Sequence, residues 1–408
     1  MTLTDAAKDT IQSLRDLHAL TADENGAQRV AWTPIWDKAV EWFIRQAESY
    51  GATVFWDSAH NLWAKFEGIS PEAIIIGSHI DSVPNGGWLD GALGVAAGLG
   101  VLKRYHEQQT RPAKTIYVVA WMDEEGARFG YSCVGSAAAS GCLDLDKVKA
   151  LKDNEGIELV EALKKYNISA DDFPKAHEEF LEKPIQAYLE LHIEQGPILE
   201  QQGKSVACLS GITGCYRQYI TFEGQAAHSG SPMSMRHDSF LAAAETALAS
   251  EKIALKYDGY STVGKVSVHP DVVTIFPGQC RISLDQRSID KSKLDTMVAE
   301  AMDACKHIAE KRGVKVTFSK IWNNNPTIFD EHLIQLCKDS IAEEIGTADC
   351  MYSGPLHDAA EIAKMVPAVM LFVASQKGLS HCKEENTSDA DLTIALKSFF
   401  RLVDKVVL

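Results

Sequence analysis

Two apolar runs, AIIIGSHI (73–80) and TIYVVAW (115–121), show no polar alternation and are bounded by turn residues, so they read as strands buried on both faces of a parallel sheet. Between them the segment from about Gly91 to Tyr105 has the length and apolar character of a helix. AYLELHI (187–193) is a third such strand. From Tyr216 to about Lys320 the order changes to strand (216–224), helix (239–250), strand (262–268), strand (279–287), helix (293–312) and strand (314–319), the βαββαβ succession of a small open sheet with helices on one face. After about Asn325 the first pattern returns with a helix (332–346), a strand AVMLFVA (368–374) and a closing helix (389–408). The chain therefore predicts an α/β protein: a mixed-sheet domain formed by 1–212 and 325–408, interrupted by an inserted βαββαβ domain at 213–324.

Size agrees with two domains, since 408 residues exceed the usual reach of one hydrophobic core, and an apolar fraction of 46% supplies both. No apolar run approaches the ~18–20 residues that span a bilayer, and the start MTLTDAAKDT lacks a basic patch followed by an apolar stretch. The expectation is a soluble, cytoplasmic protein without a membrane partner. Nine cysteines, odd in number and without a CxxC pair, argue against a disulfide framework and against a thiolate zinc site. A formal charge of −16 with no basic stretch excludes nucleic acid as a partner. It does not exclude a small anionic substrate, because a few local arginines outweigh a distant net field at short range.

The chemistry gathers at the predicted strand ends, where ligands of open α/β sheets collect. GSHIDS (77–82) carries His79 and Asp81, WMDEEGARF (121–129) carries Glu124 and Glu125, and His192 closes AYLELHI. His381 lies in GLSHCKEE (378–385) and Asp90 in NGGWLDG (85–91). Alternate residues of a strand share a face, so Asp81 is expected to accept the His79 ring proton and fix the imidazole for a metal. Asp90, before a helix, suits a helix cap; its position suits a bridge between two ions held by His79 and Glu125. Two carboxylates ending an apolar strand are costly without a nearby cation, and as neighbours they point apart, one to an ion and the other to water. Taken singly, His192 on an apolar strand is more often a satisfied core histidine than a ligand, and His381 in a loop is more often a solvated one. Cys382, adjacent to His381, is not expected to serve the same ion. Together these residues describe a two-metal hydrolase, in which water on a zinc-type ion loses its proton near pH ~7.

GSHIDSVPNGGWLDGALGV, MDEEGARF, LELHIEQGPILE, GQAAHSGSPMSMRHD, FPGQCRISLDQR and SHCKEENT, in this order and across nearly the whole chain, resemble the amidase/hydantoinase/carbamoylase branch of the zinc aminoacylase and aminopeptidase superfamily. The resemblance implies hydrolysis of a carbamoyl C–N bond in an N-carbamoyl amino acid or related ureido acid, with allantoate, an N-acyl amino acid or a small peptide as alternatives. A relative that binds its ligand without turnover is the non-enzymatic alternative, against which Glu124 beside Glu125 argues. The implied ligands are His79, Asp90 and His192 for one divalent ion and Asp90, Glu125 and His381 for a second, zinc or manganese, with cobalt or nickel also suited. Glu124 becomes the general base and acid. His228 becomes the oxyanion donor, reaching the active site of the partner in a homodimer whose lid is the inserted domain. Gln195, Arg287 and His357 become substrate contacts, Arg287 clamping the carboxylate of a small-molecule substrate.

Two places depart from that pattern. Thr274 stands in VTIFPG where the branch has Asn, and Pro355 and Leu356 stand before His357 where it has a small residue and Gly. These departures leave the metal chemistry untouched and bear on the substrate.

Overall fold

The computed structural model describes residues 1–408, which divide into two compact units: Met1–Ser210 with Phe329–Leu408, and Gly211–Ile328. The sequence places these borders at 212/213 and 324/325. The short strand Thr327–Ile328 pairs antiparallel with Gly211 and Ile212, so it belongs with the inserted unit.

Four strands at the centre of the larger unit run parallel in the order Ala368–Val373, Ile185–Ile193, Ser70–His79, Lys114–Trp121. Leu62–Phe66 and Val206–Ile212 flank them antiparallel, and Thr53–Trp56 lies beyond Leu62–Phe66. The sheet is therefore mixed. After Ser70–His79 the chain adds its next long strand on one side and then crosses back to add Ile185–Ile193 on the other. That reversal is a topological switch point, and it opens a crevice at the carboxyl ends of the two strands.

Ile74, Ile76, Val118, Leu189 and Leu371 are wholly buried in these strands, which explains the missing alternation in their sequence. Helices Leu3–Thr21, Ala92–Gln108, Glu331–Ile345 and Asp389–Val406 pack among themselves and on the sheet. Thr2 and Ser388 cap two of them by accepting the N–H of Asp5 and of Asp391. Phe399 and Phe400, fully buried on the last helix, each contribute roughly 1.5–3 kcal/mol.

The inserted unit is an antiparallel sheet ordered Tyr260–Thr262, Gln279–Ser288, Gly214–Glu223, Lys315–Asn324, with helices Ser239–Tyr257 and Lys291–Arg312 packed against it. Cys280, Ile282 and Leu284 meet Ile220, Phe222, Ala301 and Cys305 in its core. The βαββαβ order is present, with one difference from expectation. The strand read at 262–268 is two pieces, Tyr260–Thr262 and Val266–His269, both paired with Gln279–Ser288.

Candidate metal centre

His79 ends its strand and His192 is the penultimate residue of the neighbouring one. Their strands are in register at Ile76 and Leu189, three residues before each histidine, so the two rings arrive side by side with centroids 5.9 Å apart. Asp90 comes to them from the turn before helix Ala92–Gln108. Its Oδ1 lies 3.2 Å from His192 Nε2 and 3.8 Å from His79 Nε2. Its other oxygen, Oδ2, lies 3.2 Å from His381 Nε2, which in turn is 3.4 Å from Glu125 Oε2. One buried carboxylate is thus shared by two triads of potential ligands, His79–Asp90–His192 and Asp90–Glu125–His381, each with donor atoms within 4.8 Å of one another.

Glycine makes this approach possible at Gly91, which has φ 64° and where a Cβ would sit 2.3 Å from the His79 ring. Glu124 and Glu125 follow Trp121 through a turn in which Asp123 takes φ 50° and Gly126 φ 61°. Glu124 Oε2 is 3.6 Å from His79 Nε2, and Glu124 Oε1 is 3.7 Å from the Cys133 thiol.

Asp81 differs from the expectation. His79 Nδ1 meets the main-chain oxygen of Asp81 at 3.1 Å, whereas the Asp81 carboxylate is 3.6 Å away. The carboxylate instead accepts the main-chain N–H groups of Glu124 (3.4 Å) and Glu125 (3.2 Å). Alternation holds only in extended chain, and the strand stops at His79.

Electrostatics mark the cluster as a place for positive charge. Burial pushes the Glu124 carboxyl well above the usual range, against the pull of His79. Burial likewise raises Glu125 to about 7, with Asp90 adding to it. Burial also opposes ionisation of Asp90, yet His192, His381 and His79 hold its carboxyl well below the usual range. Asp90 raises His381 to about 9. The carboxylates thus favour positive charge on the surrounding histidines, the charge that a divalent cation would supply. Glu125 Oε1 is buried without a hydrogen-bond partner and His192 Nε2 faces the Asp90 carboxylate, in keeping with donors oriented toward an ion. The imidazole and carboxylate donors fit a divalent metal of the zinc type.

Gln195, at φ 57°, spends its amide on the cluster: Nε2 donates to Asp90 Oδ2 at 3.0 Å, while Oε1 is buried without a partner. His357 packs its ring 4.4 Å from that of His192, with Nε2 3.0 Å from the Ser353 hydroxyl. Burial, then the neighbouring His192, hold His357 well below its usual pKa. With Glu190 and His192 it makes a third grouping of donor atoms. Pro355 stands in the same turn, its oxygen accepting the Ser353 hydroxyl at 2.8 Å, and the next residue, Leu356, is half-buried.

The remaining expected site residues lie in the inserted unit. Exposed His228 pairs with Ile275 in a short antiparallel bridge, and its Nδ1 accepts from Gly230 N–H at 3.0 Å. Thr274, also exposed, accepts from Ser229 N–H through its main-chain oxygen at 2.8 Å. Arg287 donates through Nε to Asp285 at 2.8 Å, and Arg217 binds the same carboxylate at 2.6 Å.

Several buried groups around the centre escape the sequence reading. Glu385 accepts the N–H groups of Leu89 and Asp90, both at 3.0 Å. Glu190 accepts from Ser78 and Tyr188, each at 2.9 Å. Asp358 takes the Ser136 hydroxyl. Arg29, wholly buried, donates Nε to the Ile80 oxygen at 2.9 Å, and its charge is drawn to Glu385, Asp90, Asp81 and Glu125. EE in SHCKEENT was the one available sign of Glu385.

Residues 75–405 match the sequence profile of peptidase family M20/M25/M40. The chain belongs to this family. An N-carbamoyl-L-amino acid amidohydrolase of Geobacillus stearothermophilus is 33% identical over 385 residues, 93% of this chain and 93% of that protein. An allantoate amidohydrolase of Bacillus subtilis is 31% identical over 390 residues, 94% of this chain and 93% of that one. The crystal structure of an amidase of the hydantoinase/carbamoylase family from Burkholderia multivorans superposes with a TM-score of 0.89 at 30% identity, covering 98% of this chain and 97% of the other. These likenesses extend over the M20/M25/M40 fold and the inserted unit alike, in keeping with the amidase/hydantoinase/carbamoylase resemblance of the motifs.

Proposed function

We propose that this M20/M25/M40 member is an amidohydrolase that cleaves the carbamoyl C–N bond of an N-carbamoyl amino acid or a related ureido acid. The observation that carries the reading is the Asp90 carboxylate shared between two ligand triads, with Glu124 directly beside them. His79, Asp90 and His192 would hold one divalent ion and Asp90, Glu125 and His381 a second, zinc or manganese, with cobalt or nickel fitting the same donors. Divalent metal bound there supplies the positive charge that acidifies a water and polarises a carbonyl.

The rest is done by the chain. Glu124 takes a proton from the attacking water and returns it to the leaving nitrogen, so that the C–N bond breaks with a neutral amine departing. The carbamoyl group leaves as ammonia and carbon dioxide. Burial of Glu124 suits that exchange, because it raises the carboxyl's affinity for the proton it takes from water. Asp81 orients Glu124 and Glu125 through their main-chain N–H groups.

In the inserted unit, the lid and dimerisation domain of this reading, His228 would stabilise the oxyanion in the partner subunit's site. Arg287 would clamp the substrate carboxylate, with Thr274 near it, and Gln195 and His357 would line the substrate on the sheet side. No helix is long and apolar enough to cross a membrane, and the nine cysteines, all unpaired, accord with a reducing cytoplasm. Neither membrane nor nucleic acid enters as a partner.

Turnover of a panel of N-carbamoyl amino acids, allantoate, N-acyl amino acids and dipeptides, with Mn²⁺ or Zn²⁺ added to metal-stripped protein, tests the reading. Carbamoyl substrates leading the ranking is the expected result, and allantoate leading would favour the activity named for the Bacillus subtilis relative. Full activity in metal-free protein would end the metal reading. Mixing His228→Ala chains with Glu124→Gln chains should regenerate activity in heterodimers. No recovery with subunit exchange verified would remove His228 from the partner's site.

A further inference from the structure

The two triads are held by different means. His79 and His192 belong to central strands, and their side chains are 2% and 1% exposed. His381 belongs to no strand or helix, takes φ 58° and leaves its side chain 49% exposed. Backbone in the left-handed region is less favourable for a residue with a side chain than for glycine, though histidine adopts it more readily than most.

Glu385 lies four residues further along the same segment. Its carboxyl is buried beneath the turn 85–91, where Oε1 accepts both Leu89 N–H and Asp90 N–H at 3.0 Å. Gly87 leaves the space, since a Cβ at that position would stand 2.0 Å from the Glu385 carboxyl. Oε2 is 2.9 Å from the Ser380 hydroxyl, which is also 3.0 Å from Asp90 Oδ2. Glu385 N–H closes the intervening turn onto the Cys382 oxygen at 3.1 Å. One carboxylate therefore clasps the segment carrying His381 to the main chain of Asp90, the residue that both triads share. Two main-chain N–H groups thus converge on a single carboxyl oxygen.

We infer that Glu385 is a positioning residue that fixes His381 against Asp90 and thereby sets the metal affinity of the Asp90–Glu125–His381 site, leaving the His79 side to the sheet. The inference rests on the two-ion reading above. Loss of such an outer partner typically costs 10–100-fold in affinity at the site it supports.

The test is Mn²⁺ titration of the metal-free full-length protein by calorimetry, for wild type, Glu385→Ala, Glu385→Gln and Ser380→Ala. His381→Ala identifies which binding event belongs to the second triad. Glu385→Ala should weaken that event about 10–100-fold while moving the other far less, and Glu385→Gln, which keeps an acceptor but loses the charge, should fall between. Equal weakening of both events would make Glu385 a general structural residue and overturn the inference, as would no change in either. Should Glu385→Ala fail to fold, Glu385→Gln and Ser380→Ala carry the same comparison. Fewer than two ions in wild type defeats the two-ion reading itself. Two ions in wild type with an unaltered His381-side event in the variants defeats only the role of Glu385.

Discussion

Asp81 Oδ2 accepts the main-chain N–H of Glu125 at 3.2 Å, so a carboxylate just past the end of one central strand holds the turn that follows its neighbour. His79 Nδ1 meets the main-chain oxygen of Asp81 at 3.1 Å, nearer than the carboxylate at 3.6 Å. Asp81→Ala should therefore spare metal binding at His79 and His192 while displacing Glu124 and Glu125. We expect a fall of about 10–100-fold in affinity at the Glu125 side and a drop in kcat of at least similar size. Metal titration alongside kcat measures both, and equal losses at the two sites would mean that the side chain orients His79 after all.

Glu124 and Glu125 are adjacent yet meet different partners, His79 for one and His381 for the other. Glu124→Gln should keep its metal and lose about 10²–10⁴-fold in kcat, since only proton transfer is removed. Glu125→Gln should lose metal from the His381 side first. Metal content by elemental analysis, compared with single-turnover rates, separates the two. If Glu124→Gln is the variant that loses metal, the roles are reversed.

How far the sequence leads depends on how local each signal is. His79, Glu124, Glu125 and His192 are legible because fully apolar strands announce themselves, and the polar residues that end them stand out. The flanking antiparallel strands Leu62–Phe66 and Val206–Ile212 and the split at Val263–Lys265 are not, since short strands share their composition with loops. Asp81 lies beside His79 as alternation suggests, but its main-chain oxygen comes nearer the ring than its carboxylate does, because alternation says nothing beyond a strand's last residue. Glu385 and Arg29 have no local signature. The N–H groups that Glu385 binds are 295 and 296 residues away in the chain, and Arg29 meets Ile80 across 51. Only the fold brings such partners together.

Gly91→Ala tests the close approach of the Asp90 turn to His79. At φ 64° any L side chain is strained, by about 1 kcal/mol for alanine, and the added Cβ would also stand 2.3–2.4 Å from ring atoms of His79. The ring is buried and cannot swing into solvent, so the turn must move and take Asp90 with it. Expected are a loss of more than about 1 kcal/mol in denaturant unfolding and weakened metal binding in both triads, since both use Asp90. Wild-type affinity in a destabilised Gly91→Ala protein would show that Asp90 reaches its place independently of this turn.

Acid sensitivity should have a source outside the metal cluster. His60 lies in an aromatic group, stacked on Trp56 at 3.8 Å with Trp32, Trp36 and Tyr166 around it, and burial pushes its pKa down to about 4. The stacked indole favours a protonated ring by about 0.5–1 kcal/mol, less than the penalty of burial. A folded-state pKa below the unfolded value of ~6.5 means that the unfolded chain binds the proton first. Stability is therefore intact above pH ~6.5, declines as pH falls below it, and stops declining near 4, with an upper bound of about 3 kcal/mol. His60→Phe keeps an aromatic stack and abolishes the titration. Any strain it adds at the positive φ of residue 60 is independent of pH, so the difference in slope isolates the histidine. Urea unfolding at pH 7 and pH 4.5 should show a smaller loss for His60→Phe than for wild type, and an identical loss in both proteins would clear His60 of any part in the acid response.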